Sequence, residues 1–287
     1  MKKTFLAIFC IALAAFFYLQ RQDGSEAIYT PVVTLATQEP EQTQEYKPAI
    51  PLILASLDAL QDTGYLKLVN REISINRPTD YMYIVSAWPT VPVRITDITL
   101  HKTALNAISS MFYEAKEIGS FFISSGHRSE SLQRELYETA INRAYVLPPG
   151  HSEHQLGLAA DILVIGMPMG QMSGTAEANW LAENAWRHGL ILRYPYGTSH
   201  ITGVAYEPWH FRYVGRIHAW YMTYNRMVLE EYLQHLEKAG GFSFLLNGIK
   251  YHVMYQQPTS GQIYVPQDLP FNISASNRGG YVITSWE

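Results

Sequence analysis

Two short segments limit the folds open to this chain more than any other part of it. The first is Gly150–Asp161, reading GHSEHQLGLAAD; the second is Tyr206-Glu207-Pro208-Trp209-His210, about fifty residues further on. In the first, His154 stands seven residues before Asp161, which runs directly into the apolar stretch Ile162-Leu163-Val164-Ile165. The spacing makes His154, Asp161 and His210 candidate ligands of one metal ion, with Glu207 as the group that works on its water. A fold that serves this purpose must bring the Asp161 strand beside the His210 segment. By spacing alone the plainer readings stay open. Asp161 at a strand start can cap a turn, Glu207 can be a solvated loop charge, and a lone histidine is more often a surface or satisfied core residue.

Cysteine usage narrows the donor chemistry. The one cysteine, Cys10, lies in an N-terminal apolar run, so disulfides and thiolate sites are excluded from the rest of the chain and any metal must be held by histidine and carboxylate. Catalytic zinc commonly has three such ligands and one open position, and it lowers the pKa of its water towards ~7. A nearby carboxylate then moves the proton to the leaving amine. On a regular strand, residues 207 and 210 face opposite sides, so Pro208 is expected to bend the segment. A net charge of -4 gives no nucleic-acid signal, and a nucleic-acid partner is not expected.

Met1-Lys2-Lys3 precedes the apolar run Phe5–Leu19, which Gln20, Arg21, Gln22 and Asp23 close. A basic start before an apolar run is an export signal. Residues 1–23 are read as an uncleaved single-pass anchor in the cell membrane, with the body outside the cytoplasm. Cleavage after Ser25-Glu26-Ala27 is the alternative. Residues 24–49, polar and acidic around Thr37–Glu45, are expected to be a flexible linker.

Residues 50–239 are read as the main domain. A strand is expected at Tyr65–Asn70. Leu105, Ile108, Met111, Phe112 and Ala115 recur at helical spacing up to Gly119. A strand at Phe121–Ser124, a helix at Glu130–Tyr145, a strand at Ile162–Ile165 and a helix at Ala176–His188 follow. Strands are expected at Leu190–Tyr194, Thr202–Tyr206 and His210–Val214, then one long helix at Ile217–Lys238. Past Gly240-Gly241 come short strands, with Asn247-Gly248 as a hairpin signal, so residues 240–287 read as a small all-β appendage. The fold class is α+β, helices packed on a mostly antiparallel sheet.

Ser152-x-His154-x-x-Gly157-x-Ala159-x-Asp161 resembles the SxHxxGxAxD signature of the VanY/VanX-type zinc peptidases, the LAS group of D-Ala-D-Ala metallopeptidases. Glu207-Pro208-Trp209-His210 with Arg212-Tyr213-Val214-Gly215 resembles their second signature. The likeness runs from about residue 64 to 238 and is strongest to the VanY D,D-carboxypeptidases. It implies His154, Asp161 and His210 as Zn2+ ligands and Glu207 as general base. Ser125-Gly126-His127-Arg128 is similar to the family's SGYR segment, which implies that Arg128 faces the scissile carbonyl and its developing oxyanion. Gln133 and Ser152 match substrate-pocket positions, and Trp209 either walls the site or belongs to the core. Two departures stand out: His127 replaces the usual tyrosine, and Tyr196-Gly197-Thr198-Ser199 lacks the family's acidic residue and lysine.

The resemblance implies a D,D-carboxypeptidase that removes the terminal D-Ala from peptidoglycan precursors ending in D-Ala-D-Ala, with a contribution to glycopeptide (vancomycin) resistance. The alternatives are an L,D-carboxypeptidase trimming tetrapeptide stems and a non-catalytic wall-binding protein on the same scaffold.

Overall fold

A computed structural model describes residues 44–45, 50–75 and 83–287. The expected anchor and most of the expected linker lie outside the described residues. No described helix is long and apolar enough to cross a membrane. Among the described residues the chain divides into two compact units, 70–220, and 44–45 and 50–69 with 221–287.

The first unit is built on a four-stranded antiparallel sheet. In chain order, β1 (Gln44–Glu45) and β2 (Leu52–Ser56) belong to the second unit; the first unit contains β3 (Ile84–Ser86), β4 (Thr99–His101), β5 (Phe121–Ser125), β6 (Ala159–Val164), β7 (Leu190–Leu192) and β8 (His210–Tyr213), and its four-stranded sheet has the order β5-β6-β8-β7. β3 and β4 form a separate antiparallel ribbon. All six residues of β6 are buried, as expected for a central strand covered on both faces. Asp161 therefore lies within a strand and not at its start. Helix α1 (Lys102–Glu114) packs Leu105, Ile108 and Met111 into a core that includes Ile123, Ile162 and Phe211.

Helix ends follow local hydrogen bonding. Ser129 caps α2 (Glu130–Thr139) by accepting from the Leu132 N–H, and Thr175 caps α3 (Ala176–Asn184) by accepting from Ala178. α2 stops six residues short of the expected Tyr145. A 3-10 turn, Ala185–His188, continues α3 and ends at Gly189, φ 81°. The strand expected at Thr202–Tyr206 is absent. A short helix α4 (Ser199–Thr202) ends there at Gly203, φ 71°, and the Thr202 hydroxyl accepts from the Val204 N–H. Local side-chain bonding has overridden the strand preference of threonine and valine. The long helix expected at Ile217–Lys238 is two helices, α5 (Arg216–Asn225) and α6 (Leu229–Ala239). Arg226 takes φ 55° between them, and Glu231 accepts from the Val228 N–H to start α6.

The second unit groups residues 50–69 and α6, expected in the main domain, with the C-terminal strands. These strands are β9 (Gly241–Leu246), β10 (Ile249–Gln256), β11 (Gln262–Pro266), β12 (Phe271–Ala275) and β13 (Tyr281–Trp286). One sheet has the order β1-β9-β10-β13-β12, and β2 pairs antiparallel with β11. Asn247 and Gly248, at φ 53° and 76°, turn the β9–β10 hairpin as their sequence predicts. β12 carried no clear sequence signal. Tyr65–Asn70 is not a strand: a turn at Tyr65-Leu66 leads into irregular chain, and the Leu68 N–H donates to the Ser276 carbonyl.

Burial lowers the pKa of His218 on α5 to about 3. Between the unfolded value near ~6.5 and that figure, the unfolded chain binds a proton that the folded one refuses. Stability should therefore fall as pH drops from 6.5 towards 3. His218→Gln should flatten that part of the profile, which denaturant titrations at several pH values would read.

Candidate metal centre

The sheet register brings the two sequence segments together. Asp161 on β6 lies directly opposite His210 on β8. A one-residue slip would turn one of the two side chains to the other face. Pro208 and Trp209 form a turn rather than strand, and the His210 N–H donates to the Glu207 carbonyl at 3.2 Å. That turn is the expected bend. It places Glu207 Oε2 3.4 Å from His210 Nδ1. The Glu207 N–H donates to Tyr194 O, and the Tyr194 ring packs 4.8 Å from the His210 ring.

His154 arrives on a 3-10 turn, Glu153–Leu156, closed by Gly157 at φ 69°. The left-handed backbone favours glycine, and a Cβ there would also crowd the His101 backbone nitrogen at 3.1 Å and force the Ile84 Cδ1 methyl aside. His154 Nδ1 lies 2.7 Å from the Gly126 carbonyl. That carbonyl can only accept, so Nδ1 carries the proton, and the Nε2 lone pair accepts from Arg128 Nη2 at 2.9 Å, with Asp161 beside it. Asp161 Oδ1 is 3.4 Å from His154 Nε2 and 3.2 Å from His210 Nδ1. The donor atoms of His154, Asp161 and His210 all lie within 4.8 Å of one another, and all three residues are buried.

The electrostatics suit a cation. Burial works to raise the pKa of Asp161, but His154, His210 and Arg128 hold it well below the usual carboxylate range. Burial, with help from Arg128, lowers His154 to about 4, so it is neutral. Burial also opposes charge on His210, but Asp161 and Glu153 outweigh it and raise the value to about 9. Burial raises Glu207 to about 8, with Asp161 and Glu153 adding to the effect against His210 and Arg128. The cluster thus holds a proton on His210 and draws Arg128 in. Arg128 Nη2 lies 2.9 Å from His154 Nε2 and donates to Asp161 Oδ2 at 3.0 Å. Two imidazole nitrogens and a carboxylate, with Glu207 beside them, fit the three-ligand pattern of catalytic zinc.

Residues 97–216 match the sequence profile of the family described as VanY: D-alanyl-D-alanine carboxypeptidase. A D-alanyl-D-alanine carboxypeptidase of Enterococcus faecium is 38% identical over 192 residues, 66% of this chain and 62% of that protein. The chain thus spans less than two thirds of that relative's length. The YodJ protein of Bacillus subtilis (strain 168) is 34% identical over 197 residues, 63% of this chain and 72% of its own. This chain belongs to the VanY family. The vancomycin-resistance D,D-dipeptidase VanXYg, solved with a D-Ala-D-Ala phosphinate analogue, has TM-score 0.71 at 26% identity, over 83% of this chain and 99% of its own. The LD-carboxypeptidase LdcB has TM-score 0.54 at 32% identity, over 63% and 93%.

The remaining expected residues of this VanY-family site have distinct places. Gln133 is buried and touches Arg128. Its Oε1 accepts from Arg128 Nη1 at 3.3 Å, and its Nε2 donates to Leu147 O at 2.7 Å. Gln133 thus holds the arginine that the resemblance places against the substrate. Ser125 Oγ accepts from Arg128 Nε at 3.0 Å. Ser152 is buried beside the Glu153–Leu156 turn. Trp209 is 7% exposed and belongs to the hydrophobic core, the second of its two expected places. His127 is half-buried, and burial lowers its pKa.

Sequence reasoning missed three charged residues. Glu153, Arg193 and Arg212 have fully buried side chains in one cluster behind His210. Their signal was available: two charges adjoin a proposed ligand segment, and Arg212 shares the strand face of His210. Tyr145 was also missed as a site neighbour. Burial raises its hydroxyl pKa, and the charge of Glu207 adds to the rise.

Gly126 holds its carbonyl against His154 because β4 crosses it closely. A Cβ there would meet Thr99 O at 2.4 Å, Ile98 Cγ2 at 3.0 Å and Leu100 Cγ at 3.3 Å. The first neighbour is backbone and cannot turn away. Gly126→Ala should cost about 1–3 kcal/mol of stability, the usual range for overpacking. It should also weaken metal binding by displacing the acceptor of His154. A denaturant melt beside a zinc titration would check both.

Proposed function

We propose that this chain is a zinc-dependent D,D-carboxypeptidase that removes the terminal D-alanine from peptidoglycan stems ending in D-Ala-D-Ala. The observation that carries the reading is the convergence of three donor residues with a buried carboxylate 3.4 Å from one of them. The family supports the substrate class. His154, Asp161 and His210 would hold the ion. When bound, zinc supplies a Lewis acid and lowers the pKa of its water towards ~7.

The protein's own groups supply the rest. Glu207 takes a proton from the attacking water and returns it to the departing amine of D-alanine. Its carboxylate lies 3.4 Å from His210 Nδ1, beside the three donors, where it can reach a water held by them. Arg128 gives up its contacts to His154 and Asp161 when those donors turn to a cation. Ser125 and Gln133 still hold its Nε and Nη1. The freed guanidinium edge then pairs with the scissile carbonyl oxygen, where negative charge grows. Burial of the cluster strengthens each of these interactions relative to water.

LdcB, an LD-carboxypeptidase in name, supports a second reading, cleavage of tetrapeptide stems. The zinc-loaded protein should release D-alanine from a pentapeptide stem ending in D-Ala-D-Ala much faster than from the tetrapeptide. Release from the tetrapeptide alone would reject the D,D reading in favour of the L,D one.

We further propose that residues 1–23 anchor the protein in the cell membrane with its body outside. Removal of the D-Ala terminus there would lower the cell's target for vancomycin. Membrane fractionation tests the anchor. A host expressing the chain should tolerate more vancomycin than one expressing a Glu207→Gln form.

A further inference from the structure

We propose that Glu153 is the positioning residue for His210. Arg193 and Arg212 clamp its carboxylate, and the carboxylate in turn holds the imidazole with Nε2–H towards Glu153 and Nδ1 towards the metal position. The inference rests on the zinc reading above and deepens it.

The geometry divides the two carboxylate oxygens between two tasks. Oε1 takes both arginines, at 2.8 Å from Arg193 Nε and 2.9 Å from Arg212 Nη1. Oε2 is left facing His210 Nε2 at 3.6 Å. That is a charge contact, longer than a hydrogen bond, of the kind that tightens when a site fills. The other ring nitrogen, Nδ1, faces Asp161 and Glu207. A histidine that ligates through one nitrogen usually donates its other N–H to a carboxylate or carbonyl, which fixes tautomer and ring angle. His154 has such a partner in Gly126 O. Glu153 is the corresponding partner of His210.

The placement of the clamp in the chain points the same way. Glu153 immediately precedes His154, so the turn that delivers one ligand also delivers the support of the other. Arg212 stands two residues after His210 on β8, and strand alternation puts both on one face. Arg193 follows β7, and its N–H donates to the His210 carbonyl at 3.1 Å. Arg193 and Arg212 have no exposed side-chain surface, and neither does Glu153. Three buried charges are a poor device for stability, since apolar residues of like volume commonly serve as well or better. A counter-ion role for the arginines alone would also not require a free oxygen aimed at a ligand.

The test reads metal affinity and tautomer, not turnover. Glu153→Gln keeps the shape and removes the charge; if two unbalanced arginines prevent folding, Glu153→Gln with Arg193→Met restores balance. Zinc affinity of the folded variant, measured by chelator competition, should fall roughly 10–100-fold. Affinity within twofold of the native value would overturn the proposal. In the native zinc-loaded protein, histidine 15N NMR should show His210 bound through Nδ1, with a slowly exchanging Nε2–H. A His210 bound through Nε2 would also overturn it, even if neither variant folds. Native protein that binds no zinc would overturn both this inference and the proposed function. Native protein that binds zinc and shows the expected tautomer but cleaves no stem peptide would overturn only the function.

Discussion

Glu207→Gln should lower kcat on stem peptides by about 10²–10⁴-fold, the usual contribution of a positioned general base. The amide keeps the size of the carboxylate but cannot take the water proton. Glu207 is not one of the three clustered donors, so the variant should keep one equivalent of zinc after dialysis. KM should change little, because the lost interaction serves proton transfer and not substrate binding. Steady-state D-alanine release and metal analysis on the same preparation would check the two halves. A variant that retains activity within about threefold of native would remove Glu207 from the mechanism.

Asp161→Asn should have the larger effect on the metal. Oδ1 of Asp161 touches both histidines and Oδ2 takes Arg128, so one side chain joins the whole cluster. An asparagine offers one oxygen, carries no charge and turns an N–H2 group towards groups that should receive a cation. The loss in zinc affinity should exceed the roughly 10–100-fold attached to a residue behind a ligand. Activity should fall to background. A chelator should do the same to the native enzyme, and added zinc should restore native protein but not the variant at equal concentration. Full activity in chelator would exclude the metal mechanism altogether.

The two experiments probe different links. Loss of turnover with zinc retained isolates the base, and loss of zinc isolates the ligand cluster. A protein that failed both without unfolding would still point to chemistry at this one site, because one sheet register and the two turns beside it carry all of these groups.

Much of the site was legible because its residues come in compact motifs. His154 and Asp161 share a stretch of twelve residues, and Glu207 and His210 share another of five. The bend at Pro208 was legible for the same reason, since a regular strand could not have served both residues. The element reading failed where a local hydrogen bond or a single φ value decided the outcome. Thr202 and Val204 favour strand by type, yet the Thr202 hydroxyl and Gly203 close a helical turn. Nothing in Ile217–Lys238 marks Arg226 as the residue that takes a left-handed conformation. Residues 50–56 read as part of the main domain because strand pairing 206 or more positions away, Ser56 with Gln262, leaves no local trace.

What the sequence determined by itself was the chemistry available: a cysteine-free donor set after Cys10, two motifs with fixed internal spacing, and a helix and strand order able to carry them. Tertiary structure alone decided which partners those residues met. Gln133 turned to Arg128, Trp209 went into the core, and three charges distant in sequence or hidden inside a motif gathered behind His210. The reason is physical. Spacing along a chain constrains neighbours through covalent geometry, whereas burial of charge is settled by whichever partners the packed fold brings within reach.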